Sequence, residues 1–570
     1  MRVRLLPLLT CLLLCSALMV EAQAASLAQQ RQMYDEAKRA LAKGNRAPYQ
    51  LFEGALRNYP LEPYLAYDEL TGRLKQASNE EIEKFLAEHG DLPQIGWMKL
   101  RWLRWLTERG EWSTFADYYD PALNFTELDC LYGQYLFRAN LPVEANAQAQ
   151  KLWLVGKSQP EACDALFSQW QRSGGLTDEL RWQRAKLAAE AGQYGLASSL
   201  IRQLPGLTHK GQLLVEVAQK PQLLKQTGKF VPADRQMADV VGLGLRRMAR
   251  QNPEQAIEWL EFYGNRLPFS SEEKVAIARS IGLTLAKRFD ARALKVMAQY
   301  DPELRDNTVS EWRTRLLLRL GRWNEAHELT LKLPQELAST PRWRYWQARS
   351  LQLAQPQNPQ VPLLYAPVAN ERDIYGFMAA DQVKQSYQLN NRPLALDPKV
   401  MQKVRNTAGV RRAMEFHDRG QIVDGRREWY HVSRLFSREE LVAQARVAYE
   451  KQWYFPAIRT ISQAQYWDDL DIRFPMAYQS TLTREARNRN LHSSWVFAIT
   501  RQESAFMVDA KSPVGATGLM QLMPATAKET AKRYGIALSS PQQLINPNVN
   551  IQLGAAYLSQ LYNQFKGNRV

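Results

Sequence analysis

The sequence predicts an all-α protein built mainly as an irregular α-superhelix, and three observations carry that expectation. From residue 26 to about 370, apolar residues recur at helical spacing and β-branched alternating runs are nearly absent. Gly110-Glu111-Trp112, Gly192-Gln193-Tyr194 and Gly321-Arg322-Trp323 each follow an apolar helix and precede a small residue, Ala116, Ala197 or Ala326. The composition of the 570 residues, 45% hydrophobic and 23% charged with 29 Gly and 28 Pro, is that of a globular chain and excludes a collagenous or disordered one.

The elements follow in chain order. Residues 1–4 carry two arginines, residues 5–20 are almost wholly apolar, and Ala22-Gln23-Ala24 offers small residues where a signal peptidase reads. Residues 1–24 are therefore read as a cleaved secretory leader rather than a spanning helix, which would need a longer apolar run. Neither Cys11 after Thr10 nor Cys15 after Leu14 has the setting of a lipid-modified cysteine. Export leaves Cys130 and Cys163, which most simply form one disulfide in an oxidising compartment; two buried thiols are the alternative. The net charge of +16 suits a polyanionic partner. For an exported chain that partner is an anionic wall polymer or lipid surface, not nucleic acid. No second apolar run calls for stable membrane insertion, and the exported chain is read as a soluble monomer.

Residues 25–370 form the superhelical region. Glycine in each repeated turn allows a left-handed backbone at a helix end, the aromatic ring covers the hairpin, and alanine lets two helices approach. Stacked hairpins bury a continuous core and resemble tetratricopeptide-type arrays, although the glycines recur at no fixed period. A compact all-α domain is the alternative. Pro356, Pro359, Pro362 and Pro367 mark a break, and residues 371–471 read as a smaller helical linker domain containing Tyr375-Gly376-Phe377-Met378 and an amphipathic stretch at 438–451.

Residues 472–570 carry the chemistry. Between Pro475 and Val570 there are ten basic residues and four carboxylates, Glu485, Glu503, Asp509 and Glu529. Glu485 lies among Arg484, Arg487 and Arg489, as on a solvated face; Glu529 lies between Lys528 and Lys532; Asp509 lies in a polar loop. Glu503 closes a stripe with Val496, Ile499 and Thr500 on a helix that Ser493 or Ser494 can cap. It is expected to point toward the core and to stay protonated, as a general acid must. A Glu that only pairs locally with Arg501 or Lys511 is the structural alternative. Ser512-Pro513-Val514-Gly515-Ala516-Thr517-Gly518-Leu519-Met520-Gln521-Leu522-Met523-Pro524 follows. Its glycines permit tight turns, and its amide among thioethers suits an acetamido sugar, or alternatively a core with Met filler. A last helix from Asn546-Pro547 buries Ile551, Ala555, Leu558, Tyr562 and Phe565 and ends near Gly567. No HExxH or Cys/His cluster points to a metal, and no cofactor is expected.

Taken together, Glu503-Ser504, Gly515-x-x-Gly518-Leu519-Met520-Gln521, Asn546-Pro547-x-x-Asn550-Ile551 and Gly554-x-x-Tyr557-Leu558 resemble the soluble lytic murein transglycosylases of bacterial periplasms. The resemblance implies a superhelix and linker closed into a ring, with a lysozyme-like catalytic domain resting on it. It implies Glu503 as the catalytic residue and Ser512, Gly518, Met520, Gln521 and Met523 as substrate-binding residues. The implied substrate is peptidoglycan glycan strands, cut between N-acetylmuramic acid and N-acetylglucosamine with 1,6-anhydromuramoyl ends; cell-wall synthases are the implied protein partners. The family continues into an Ala-Tyr-Asn-Ala-Gly segment beyond the position where this chain ends, so the resemblance is to a catalytic domain cut short, and the activity expectation attaches to a complete one. A hydrolase in which Asp509 orients water, and a non-catalytic peptidoglycan-binding scaffold, are the alternatives.

Overall fold

The computed structural model describes residues 25–568; the expected leader lies outside the described residues. The chain is all-α, with 32 α-helices and only two isolated β-bridges among the described residues. It divides into two compact units, Leu103–Asn390 and the combination of the segment ending at Trp102 with the segment from Asn391 onward. No helix of the described residues is long and apolar enough to cross a membrane.

Within the Leu103–Asn390 unit, hairpins stack in sequence as the turn signature predicts. Gly110, Gly192 and Gly321 have φ of 79°, 77° and 70°. The next residue of each donates its N–H to the carbonyl five positions back: Glu111 to Leu106, Gln193 to Ala188 and Arg322 to Leu317, at 2.8–3.0 Å. These bonds close the helix ends, so the following helices can begin at Trp112, Tyr194 and Trp323. Ala197 and Ala326 are wholly buried, as close helix approach requires, and Ala116 is half-buried. Cys130 and Cys163 form a disulfide, Cα–Cα 4.9 Å, between the Thr126–Arg138 and Ala162–Arg172 helices, packed with Leu166 and Trp170.

The proline-rich break is shorter than the sequence suggested. Only residues 355–359 leave helical structure, because Pro362 and Pro367 both lie within the Gln360–Val368 helix. The Ile374–Val383 helix, assigned to the linker from sequence, packs against the Pro341–Ala354 and Gln360–Val368 helices through Tyr345, Tyr365, Ala379 and Ala380.

The other unit joins distant parts of the chain. Arg31 on the Leu27–Leu41 helix makes a two-pronged ion pair with Glu415 at 2.7 and 2.8 Å, and the Tyr59 hydroxyl donates to the same carboxylate at 2.8 Å. Arg412 donates to Glu428 at 2.6 Å and to Asp91 at 2.8 Å, while Tyr64 donates to Glu428 at 2.9 Å. The first three helices, read from sequence as the start of the superhelix, thus pack on the linker helices Ala408–Asp418 and Ile422–Val432. Those two helices are joined by the same turn, with Gly420 at φ 73° and the Gln421 N–H bonded to the Phe416 carbonyl. The Arg438–Glu450 helix carries a capping box between Ser437 and Glu440.

Candidate active site

The Ser493–Ser504 helix carries Glu503 in its last turn. The helix begins with His492 as N-cap, whose ring Nδ1 lies 2.6 Å from Ser494 Oγ, so neither Ser493 nor Ser494 caps it. It ends abruptly because Ala505 and Phe506 both adopt left-handed backbone, φ 47° and 64°. Ser504 Oγ accepts from the Phe506 N–H at 3.1 Å, and Phe506 drops into the core. The buried line is Val496, Thr500 and Ser504. Glu503 lies near the azimuth of Val496, yet its side chain is exposed while Ser504 beside it is buried. The burial expected to keep it protonated is absent from the protein alone. Its carboxylate has no hydrogen-bond or ion-pair partner among the described residues. Arg501 is turned away, donating to the Arg473 carbonyl at 2.7 Å and lying 4.5 Å from the Phe474 ring centroid.

The loop after this helix is fixed mainly by backbone and amide bonds. The Ala510 carbonyl accepts from the Gly518 N–H at 2.8 Å and from Gln521 Nε2 at 3.1 Å. Thr517 and Leu522 exchange two backbone bonds, and the Ser512 hydroxyl accepts from the Ala516 N–H at 2.9 Å. Asn550, wholly buried on the Pro547–Gln564 helix, binds three loop groups. Its Oδ1 accepts from the Met520 N–H at 2.8 Å, and its Nδ2 donates to the Thr517 and Leu544 carbonyls at 3.0 and 2.9 Å. Gly518 sits against this amide at φ 82°, where a Cβ would come within 2.3 Å of Asn550 Nδ2 and of the Leu544 carbonyl.

The predicted binding residues separate into two groups. Ser512 and Gln521 are half-buried beside the loop, and Met523, 40% exposed, is the N-cap of the Pro524–Tyr534 helix. Gln521 already gives its amide hydrogens to Ala510 and Gly518, which leaves its carbonyl oxygen for a ligand. Met520 is buried against Gly554 in the cluster with Ile551 and Ala555, so it is core and not a groove wall. Gly518 acts through its backbone alone. Leu558 and Tyr562 on the Pro547–Gln564 helix are half-buried, and Phe565, its C-cap, is exposed instead of buried.

The remaining carboxylates are occupied. Glu529 pairs with Arg533 at 3.3 Å. Glu485 is buried on the inward face of the Gln479–Asn488 helix with Thr481, Leu482 and Ala486, and Arg484 lies 3.1 Å from it. The three arginines nearby had suggested a solvated position. Asp509 receives both prongs of Arg426, at 2.8 and 2.6 Å, from the Ile422–Val432 helix. That hydrogen bonding holds the Asp509 carboxyl below its ordinary value. A depressed folded value means the clamp contributes fully above the ordinary Asp value, about 3.9, and is lost as pH falls through the depressed one. Asp509→Asn is expected to lower turnover by no more than about tenfold and stability by about 1–3 kcal/mol. A thousandfold drop in turnover with stability intact would instead make Asp509 the water-orienting group of a hydrolase.

Residues 480–570 match the Transglycosylase SLT domain family, and residues 403–470 match the Soluble lytic murein transglycosylase L domain. The soluble lytic murein transglycosylase of Escherichia coli is 30% identical across 100% of this chain and 87% of its own length. The chain belongs to the soluble lytic murein transglycosylase family. Two solved structures agree with the assignment. The inactive E503Q mutant of lytic transglycosylase Slt from Pseudomonas aeruginosa is 68% identical, with a TM-score of 0.91 over 94% of this chain and 88% of its own. The 70-kDa soluble lytic transglycosylase of Escherichia coli is 28% identical, with a TM-score of 0.79 over 96% and 88%. Residues 134–219 also match the Cucumovirus coat protein family, a stretch that folds here as consecutive helices of the superhelix.

Proposed function

We propose that this transglycosylase cleaves the β-1,4 bond between N-acetylmuramic acid and N-acetylglucosamine of peptidoglycan, leaving 1,6-anhydromuramoyl ends. One observation carries the mechanism. Of the four carboxylates between Pro475 and Val570, Glu503 alone is both exposed and without an ion-pair or hydrogen-bond partner among the described residues. A two-carboxylate glycosidase needs a second free carboxyl about 5–9.5 Å away. A single-carboxylate route needs none. Protonated Glu503 gives its proton to the glycosidic oxygen, and the substrate's acetamido group stabilises the positive sugar carbon. Ionised Glu503 then takes the proton of the muramic acid 6-hydroxyl as that oxygen closes on the same carbon. No water is consumed, and the intramolecular nucleophile has the advantage of proximity. In this reading the dry surroundings arrive with the glycan, whose rings displace water from the exposed carboxyl. Ser512, the Gln521 carbonyl oxygen and Met523 border the strand.

Several features support the wider reading. The family matches at 403–470 and 480–570 support a linker at 371–471 and a catalytic domain at 472–570. The leader expected at residues 1–24 and the Cys130–Cys163 disulfide support a periplasmic location. The Slt variant numbered E503Q supports Glu503 as the reacting group. Digestion of isolated sacculi followed by mass spectrometry tests the proposal. Released muropeptides are expected to be lighter by one water than those with reducing ends, and Glu503→Gln is expected to release none while keeping the parent's helical content and Tm. Hydrated ends, or undiminished release by the Gln variant, would remove Glu503 from this role.

A further inference from the structure

The Leu103–Asn390 unit contains a cleft that none of the chemistry above uses. The Asn307–Arg319 and Pro341–Ala354 helices and Tyr375 enclose about 530 Å³. Its wall carries three guanidinium groups, Arg315, Arg319 and Arg342, beside the half-buried rings of Trp346 and Tyr375. One carboxylate serves this group. Glu311 accepts from Arg315 at 3.3 Å and from Arg342 at 3.5 Å, and its remaining contact is the Trp343 indole N–H at 3.3 Å. Both arginine distances are long for a charge-assisted bond, which is normally about 2.7–2.9 Å. Arg319 has no carboxylate partner among the described residues; it lies 4.8 Å from the ring centroid of Phe289, itself exposed. Arg342 lies 5.7 Å from the Tyr375 ring centroid.

Two cations sharing one anion, beside a third that has no carboxylate partner among the described residues, leave donors in excess and a local positive field in a concave surface. Guanidinium forks match carboxylates in pairs, and the adjacent rings offer flat apolar faces to the body of the same ligand. We propose that this cleft is a second binding site for peptidoglycan, taking the carboxylate-bearing peptide stems of the glycan strand. The assignment rests on the peptidoglycan reading above and adds an anchor on the superhelical unit, so that the enzyme recognises the peptide as well as the sugar chain.

The test uses the full chain carrying Glu503→Gln, so that the ligand survives the measurement. A soluble disaccharide-tetrapeptide and the same disaccharide without peptide are titrated calorimetrically against this protein and against its Arg319→Gln/Arg342→Gln derivative. The double substitution is expected to weaken binding of the stem-bearing fragment about tenfold or more and to leave the peptide-free disaccharide unaffected. In the otherwise wild-type enzyme it should slow digestion of sacculi several-fold while cleavage of short peptide-free strands is unchanged. If the Gln derivative does not fold, Arg319→Lys/Arg342→Lys keeps the charge, loses the forks and should show a weaker loss in the same direction. Equal affinity of parent and derivatives for the stem-bearing fragment overturns the assignment. So does loss of binding to anionic phospholipid vesicles with stem binding intact, which would give the cleft to a lipid surface. Failure of the wild-type enzyme to release any fragment from sacculi sinks the peptidoglycan reading itself, a result separable from both.

Discussion

Arg412→Ala is expected to cost about 3–5 kcal/mol, the penalty of breaking a buried ion pair from one side. Arg412 is 3% exposed and Glu428 is 0% exposed. Without Arg412, only the Tyr64 hydroxyl remains to Glu428, whose Oε2 already lacks a hydrogen-bond partner among the described residues. Asp91 loses its partner as well. The loss is large against a net stability of about 5–15 kcal/mol for a domain. Burial already pushes the Glu428 carboxyl up from its ordinary value. A carboxyl with a raised folded value takes up a proton more readily in the native state, so the stability it costs grows as pH rises through that window. The deficit of the Ala variant should therefore narrow as pH is lowered toward the ordinary Glu value. Arg412→Met with Glu428→Met should recover much of the loss, since neither charge is then stranded. Urea unfolding followed by fluorescence checks both. A single variant within about 1 kcal/mol of the parent would mean that the network adds little.

Gly518→Ala is expected to lower kcat about a hundredfold, because displacement of a positioning loop by about an ångström costs that much. Alanine at φ 82° is strained by about 1–2 kcal/mol on its own. Its methyl would also meet Asn550 Nδ2 and the Leu544 carbonyl, neither of which can yield without losing the three bonds that hold the loop. Gly515 is the internal control. It also has left-handed backbone, φ 97°, yet a methyl there meets nothing within 4 Å. Gly515→Ala should show the strain in Tm and keep most of its turnover on sacculi. Equal loss of turnover in the two variants would argue that backbone strain alone, not the Asn550 contact, governs the loop.

Much of this was legible in the chain, for reasons that can be named. The glycine-aromatic turns announced the hairpins because a left-handed helix end needs a residue without a Cβ. The Gly515-to-Pro524 stretch announced a tight loop for the same reason. Glu503 was singled out in the sequence, but its burial was misjudged: a helical wheel gives the direction of a side chain and not which neighbouring elements cover it. Glu485 was misjudged in the opposite sense, since arginines adjacent in sequence say nothing about what covers the next turn. Asn550 had a readable signal, an amide one residue before Ile551 on the buried face, because a buried amide must satisfy both its donors and its acceptor. The Arg426–Asp509 pair had none, since its partners lie 83 residues apart. Packing of the first helices onto the linker was unreadable for the same reason.

That long-range packing has a consequence for how the molecule is made. Arg31 meets Glu415 across 384 residues of chain. During synthesis the first hairpins emerge with their inward faces bare, and the surface they need does not yet exist. Closing so long a loop carries an entropic cost before any contact repays it, so this unit is a slow, late-forming one. Until it forms, the amino-terminal helices are the part of the nascent chain most open to proteases and most in need of a chaperone.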